Sequence, residues 1–401
     1  MSQRSSPAGG CFSSVALEHY FAPCPRGLEA LLAGELASFG ARETREVAGG
    51  VAFGGDREVC YAANLHSRLA SRVLWRIAEF AYSSEDDIYE AVRSHDWPAL
   101  FAVERTLRVY VTAQKSPLKS LEFITLRIKD AVCDRFRETA GSRPSVEKAR
   151  PDVRVHAFLE AGRATLYLDT SGEPLFKRGW RRASVEAPLR ENLAAGIVQL
   201  TRWDPQQPLL DPMCGGGTLL AEAAGIALGV APGAGRPFAF EKLRSFDARL
   251  WQRLKSAAGE RRTRRKPALF GSDAESRALD AARRNLAAAG FGDVVQLERA
   301  DVLQRVAPAP AGVLVANPPY GERTGSDEAL ARFYPRLGDA LKKNFAGWRC
   351  HFFTADLRMP KLIRLEPARR VPLYNGALEC RLYEFRMVAG SHRAKPPVAA
   401  P

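Results

Sequence analysis

Long apolar runs are missing from this 401-residue chain. No stretch approaches the ~20 consecutive apolar residues that a membrane-spanning helix needs. The opening segment, MSQRSSPAGGCFSSVALEHYF, has no apolar core and does not read as a secretory signal peptide. Cysteine pairs are missing too. Cys11, Cys24, Cys60, Cys133, Cys214, Cys350 and Cys380 are scattered, with no C-x-x-C and no histidine at zinc-ligand spacing from a cysteine pair. That pattern suits free thiols in a reducing cytosol, so a cytoplasmic location is expected and a metal is not. No internal repeat is present. Disorder of the whole chain, a collagen-like chain and a coiled-coil rod are set aside by 46% hydrophobic and 26% charged residues, ordinary values for a folded protein.

What stands out is positive charge. Lys and Arg number 59 against 45 Asp and Glu, a net charge of +14 with a pI near 9.7. Such an excess suits a polyanionic partner such as nucleic acid. Most of these cations are arginine, so codon bias in a GC-rich genome accounts for it equally well.

The length suggests two or three domains. Residues 1–15 are small and polar and read as a flexible leader. Over 16–75, HYFAPCPRGLEALLAGELASFGA predicts a strand and a helix. VAGGVAFGG predicts a strand with turn glycines, and NLHSRLASRVLWRIAEF a helix running into a strand. Over 76–175, DDIYEAVRSHDWPALF predicts a helix ended by Trp97-Pro98. RTLRVYVTAQ alternates as a strand does, and SLEFITLRIKDAVCDRFRETAG predicts a long helix with a basic face. VRVHAFLEAGRATLYLDTSG reads as two strands about Gly162. This half mixes helices and strands without strict alternation and is α+β in character.

Over 176–390 the rhythm changes to α/β. Short apolar strands (QPLLDP, ALFGSD, VVQLERAD, GVLVANPPY, RCHFFTAD) alternate with helices, the pattern of a doubly wound parallel sheet. RRVPLYNG and LECRLYEFRMV suit an antiparallel pair on one edge. Residues 226–267 form an insertion rich in Gly, Pro and Arg, whose cations Arg261, Arg262, Arg264, Arg265 and Lys266 suit contact with RNA and a solvated loop equally well. Residues 391–401 read as a disordered tail.

Four segments carry chemistry. In LLDPMCGGGTLLAEAA a strand ends at Asp211, three glycines follow and a helix begins near Thr218. Glycines let backbone pass close to a ligand. Neither Gly-Lys-Ser/Thr nor G-x-G-x-x-G is formed here, which disfavours a P-loop or an ordinary dinucleotide site. A cofactor with an amino-acid end fits better: Asp211 accepting from an ammonium group, Gly215 to Gly217 beside the carboxylate. Asp273 ends the next strand, where an acidic residue holds ribose hydroxyls, and Asp301 the strand after, placed for an adenine amine. In VLVANPPY a strand ends in Asn317-Pro318-Pro319-Tyr320. The prolines stiffen the turn, leaving the Asn317 side-chain oxygen and the Pro318 carbonyl as fixed acceptors. Two acceptors on an exocyclic amine favour a pyramidal nitrogen whose lone pair can attack a methyl group. Tyr320 offers a stacking face for an extruded base.

DPMCGGGT, Asp273, Asp301 and NPPYGER together resemble the class I S-adenosylmethionine-dependent methyltransferases acting on exocyclic amines. SGEPLFKRGWR–EAPLRENLAA and LYNGALECRLY are similar to the THUMP-domain rRNA guanine-N2 methyltransferases of bacteria, over roughly residues 17–390. The resemblance implies a Rossmann-like class I methyltransferase domain, with a seven-stranded mostly parallel sheet. It follows a ferredoxin-like segment (16–75) and a THUMP RNA-binding domain (76–175). It implies S-adenosyl-L-methionine as cofactor, with Asp211, Cys214, Gly215 and Gly217 at its methionine end, Asp273 at ribose and Asp301 at adenine. It also implies Asn317, Pro318 and Tyr320 at a target guanine of 23S rRNA, free or in a pre-50S particle. Lys177, Arg178, Arg181 and Arg182, between the halves, are expected to contact phosphates. Gly216 departs from the family, which often has Ser there. The family module often forms half of a bifunctional enzyme; here one methyltransferase domain and one activity are expected. A tRNA guanine-N2 enzyme, an adenine-N6 nucleic-acid methyltransferase and a non-catalytic RNA-binding assembly factor are the competing readings.

Overall fold

The computed structural model describes residues 17–183, 189–318 and 327–388. The first half runs β1 (Glu18–Pro23), α1 (Glu29–Ser38), β2 (Arg42–Val47), β3 (Gly50–Gly55), α2 (Arg57–His66) and β4 (Leu74–Ala81). It continues through α3 (Glu85–Ser94), α4 (Trp97–Leu100), β5 (Leu107–Gln114), α5 (Leu121–Ala140), β6 (Val153–Glu160) and β7 (Arg163–Asp169). The second half runs α6 (Glu191–Leu200), β8 (Leu209–Asp211), α7 (Thr218–Ala227), α8 (Ala248–Glu260), β9 (Leu269–Asp273), α9 (Ser276–Ala288) and β10 (Val295–Arg299). It ends with β11 (Gly312–Ala316), α10 (Asp327–Asn344), β12 (Trp348–Thr354), α11 (Met359–Ile363), β13 (Arg369–Asn375) and β14 (Leu378–Arg386). Among the described residues no helix is long and apolar enough to cross a membrane, and the six described cysteines are buried.

One seven-stranded sheet, β2-β3-β1-β4-β7-β6-β5, runs through the whole first half. The division expected at 75/76 falls inside β4, which pairs with β1 on one side and β7 on the other. Strand pairing across the division therefore makes the two segments one structural body. Two local expectations are corrected. The helix sought within residues 64–80 starts earlier, at Arg57, because Asp56 caps it by accepting from the Val59 N–H at 3.0 Å. Trp97-Pro98 opens α4 rather than ending α3, since proline in a first turn sacrifices no helical N–H bond. The basic helix α5 forms as expected, capped by Ser120 and ended by left-handed Gly141; it buries Ile124, Ile128, Val132 and Phe136.

The second sheet has the order β10-β9-β8-β11-β12-β14-β13, parallel from β10 to β12, with an antiparallel β14–β13 edge. Strand order reverses at β8, flanked by β9 and β11. Open α/β sheets form their ligand crevice at such a switch point, beyond the strands' carboxyl ends.

The 226–267 segment is a strut, not a loose loop. Tyr61 of α2 stacks on Phe240 at 4.1 Å between centroids, Trp251 meets Phe240 edge-on at 5.1 Å, and the Tyr61 hydroxyl accepts from the Asp247 N–H at 3.0 Å. Buried aromatic pairs of this kind contribute about 0.5–1.5 kcal/mol each beyond their area. The insertion thus fastens the first half to the second. Its end, Arg261, Arg262, Arg264, Arg265 and Lys266, is a run of exposed basic chain.

Candidate active site

Four strands deliver polar side chains to one edge of the second sheet. Asp301 follows β10, Asp273 ends β9, Asp211 ends β8 and Asn317 follows β11, in that spatial order. With neighbouring strands about 4.8 Å apart, the row spans roughly 14 Å.

Asp211 is 1% exposed and accepts from the Met213 N–H at 3.2 Å. Burial, with the Asp273 carboxylate adding to it, pushes its pKa well above the usual carboxylate range. Such a group suits a cationic partner. Asp273 is half-buried and ties the next turn in place: Oδ2 accepts from the Gly215 N–H at 2.9 Å and Oδ1 from the Glu275 N–H at 3.0 Å. Asp301 is exposed, and Oδ1 accepts from the Leu303 N–H at 2.9 Å.

The glycine turn joins β8 to α7. Gly215 (φ 50°) and Gly217 (φ 77°) occupy the left-handed region, whereas Gly216 does not. The Gly216 departure noted in the sequence therefore carries no backbone requirement for glycine. A Cβ at Gly217 would also stand 3.3 Å from the Ala282 Cβ. Gly217→Ala is expected to lower the thermal midpoint by about 2–6 °C, from the cost of a non-glycine left-handed residue. Gly216→Ala is expected to stay within about 1 °C by differential scanning calorimetry, a contrast that a uniformly tolerant turn would not show.

Cys214 is buried in the core. Its N–H donates to the Ser272 carbonyl at 2.9 Å, and burial pushes the thiol pKa well up. It can offer a neutral apolar wall. The Asn317 Oδ1 is buried with no hydrogen-bond partner among the described residues. Leaving a buried acceptor unpaired costs about 1–3 kcal/mol, so this atom is waiting for a donor. Pro318 is buried beside it; Tyr320 lies outside the described residues.

The four cations expected at phosphates divide. The buried Arg178 is committed inside the protein: Nε faces Glu222 Oε1 at 3.2 Å, and the other nitrogens donate to the Leu175 and Arg68 carbonyls at 2.8 and 2.6 Å. Arg181 binds Glu191 at 3.0 Å and the Leu189 carbonyl at 3.0 Å. Both expectations are corrected: buried carboxylates hold these guanidinium groups away from an external phosphate. Lys177 is exposed, with Glu173 at 2.9 Å, and the Arg182 side chain is exposed.

Sequence reasoning missed Asn285. This fully buried side chain accepts from the Arg182 and Ala183 N–H groups at 2.8 and 2.9 Å. It donates to the Ala183 and Gly216 carbonyls, both at 3.0 Å, fastening the interdomain segment to the glycine turn. An amide inside a helix is a weak signal, since asparagine is a poor helix former there.

Comparison with known proteins agrees with this architecture. Residues 178–384 match the RMKL-like methyltransferase domain, 82–169 the THUMP domain and 19–74 the RlmL ferredoxin-like domain. The chain is 39% identical, over 96% of its length, to the ribosomal RNA large subunit methyltransferase K/L of Aeromonas hydrophila, and spans 56% of that protein. It is 38% identical to a candidate RNA methyltransferase of Synechocystis sp., covering 93% of this chain and 98% of the relative. A crystal structure of a candidate methyltransferase complexed with SAH superposes with a TM-score of 0.85 at 30% identity, over 94% of this chain and 99% of the other. Two seven-stranded sheets, a glycine turn at the switch point and these matches lead to one assignment: the chain belongs to the RMKL-like methyltransferase family and carries RlmL ferredoxin-like and THUMP domains ahead of its methyltransferase domain.

Proposed function

We propose that this protein transfers a methyl group from S-adenosyl-L-methionine to the exocyclic N2 of a guanine in 23S rRNA, in the cytoplasm. The observation that carries this reading is the row Asp301–Asp273–Asp211–Asn317 across four adjacent strands at the switch point. Its order suits an extended adenosyl cofactor followed by a target amine. The donor set fits the cofactor. Asp301 faces the adenine amine, Asp273 the ribose, and Asp211 the ammonium, whose positive charge offsets the burial that holds this carboxyl up. Gly215 and Gly217 leave room for close approach, with Cys214 as a wall. The likeness to a structure complexed with SAH supports the same cofactor.

S-adenosylmethionine supplies a methyl group already activated on a sulfonium, so the chain's task is mostly positioning. Asn317 Oδ1 and the Pro318 carbonyl hold the two N2 hydrogens and expose the nitrogen lone pair in line with the methyl carbon. Tyr320 stacks on the extruded base. The N–C bond forms as the S–C bond breaks, and the surplus proton on nitrogen leaves to water. Lys177 and Arg182 contact phosphates outside the crevice.

The test is transfer of labelled methyl to separate pools of unmodified 23S rRNA, 16S rRNA and tRNA, with nucleoside analysis. N2-methylguanosine confined to 23S rRNA is expected. Label in tRNA, or as N6-methyladenosine, overturns the substrate while keeping the chemistry. Absence of label from every pool and from pre-50S particles overturns the enzymatic reading.

A further inference from the structure

A second cavity lies behind the glycine turn, on the helical layer rather than at the sheet's carboxyl edge. It encloses about 560 Å³ between the interdomain segment, the first half, α7 and the α8 strut. Ala221, Glu222 and Gly225 of α7 line it, one to two helical turns beyond Gly217. Five cations line it, Arg68, Arg178, Arg182, Lys255 and Arg262, against one carboxylate, Glu222. On the floor Glu222 sits between Arg178 at 3.2 Å and Arg68 at 3.6 Å. Arg68 is held further by the Gly225 and Val230 carbonyls at 2.8 and 2.5 Å. The floor is therefore fixed and carries one net positive charge.

The rim differs. Among the described residues the Arg182, Lys255 and Arg262 side chains have no carboxylate partner; Lys255 lies only over the Trp251 ring, at 5.4 Å. Three unpaired cations above a cationic floor repel one another, and a polyanion relieves that repulsion. Small residues in the wall, Ala221, Gly225, Ala231, Gly235 and Gly259, let a backbone approach closely. Arg264, Arg265 and Lys266, which follow Arg262 closely in the chain, are exposed and add to the positive charge there.

We propose that this cleft binds phosphodiester groups of the RNA substrate, making the 226–267 strut a backbone grip as well as a brace. The inference rests on an RNA substrate. Phosphate contacts fix register without reading sequence. Arg182 projects from the segment that Asn285 fastens to the glycine turn, so RNA held here is registered against the crevice.

The experiment measures binding of the intact protein, with S-adenosylhomocysteine present, to an unmodified 23S rRNA transcript over a salt series. K255A/R262A is expected to lower affinity at least ten-fold near 100 mM salt. It should flatten the log K against log salt slope by about 1.5, at 0.7–0.9 per lost contact. Cofactor affinity and thermal midpoint should be unchanged. The charge-preserving R262K should keep the wild-type slope, which a merely structural arginine would not. An unchanged slope in a folded K255A/R262A protein overturns the proposal. So does weakened binding of inorganic phosphate with RNA binding untouched, which makes this a small-anion site. So does loss of a bound protein partner with RNA binding unaffected. Because the readout is binding, failed methyl transfer would overturn the enzymatic reading without being mistaken for failure of the cleft.

Discussion

Asn317→Ala is expected to lower kcat by at least 10²–10³-fold, the scale seen when one preorganised polar contact to a reacting group is removed. Cofactor affinity should stay within a few-fold, because Asn317 follows β11 while the carboxylates proposed to hold the cofactor lie at β8, β9 and β10. Stability should move the other way. The wild-type Oδ1 is buried without a partner among the described residues, and deleting an unsatisfied acceptor recovers up to about 1 kcal/mol of its desolvation cost. A variant that is dead yet as stable as wild type, or more so, is the signature of an atom kept for the reaction. Asn317→Asp retains an acceptor and should retain more activity than alanine. Single-turnover rates with saturating RNA, cofactor titration calorimetry and thermal unfolding read the three quantities separately. Near-normal turnover in Asn317→Ala would remove the polarising role and leave Pro318 and Tyr320 to position the base alone.

The catalytic half was legible because its punctuation is local. Each parallel strand is an apolar run closed by one polar residue, so Asp211, Asp273, Asp301 and Asn317 could be placed at strand ends from sequence. Strand order then aligned them, and order depends on long-range pairing. The first half was less legible for that reason. Glycines in GVAFGG marked a turn, but nothing nearby showed that β1 would join β4 and continue the sheet through both segments. Charge was read least well. Arg178 and Arg182 are four residues apart in one basic run, yet one is buried against Glu222 and the other exposed. The sign of a side chain does not disclose which carboxylate the fold brings to it. The insertion was equally hard to place: RRTRRK stands out in the sequence, while the packing of Phe238, Phe240 and Trp251 with Tyr61 depends on contacts far apart in the chain.

Asn285 gives the second large expected effect. Its amide satisfies four backbone groups in a site with no exposure: the N–H groups of Arg182 and Ala183, and the carbonyls of Ala183 and Gly216. Asn285→Ala leaves all four without that partner. At roughly 1 kcal/mol each the loss is about 3–4 kcal/mol, or roughly 6–15 °C in the thermal midpoint of a domain this size. Cofactor affinity should fall as well, because the Gly216 carbonyl loses the bond that holds the turn between Gly215 and Gly217. Asn285→Asp separates the two halves of the role. It keeps an acceptor for the two N–H groups but sets carboxylate oxygen against two carbonyls in a buried site, so its loss should equal or exceed that of alanine. Calorimetric unfolding and cofactor titration on both variants decide the matter. A midpoint within 2 °C of wild type, with unchanged cofactor affinity, would mean that water replaces the amide and that the interdomain segment is held by the Arg178–Glu222 and Arg181–Glu191 pairs instead.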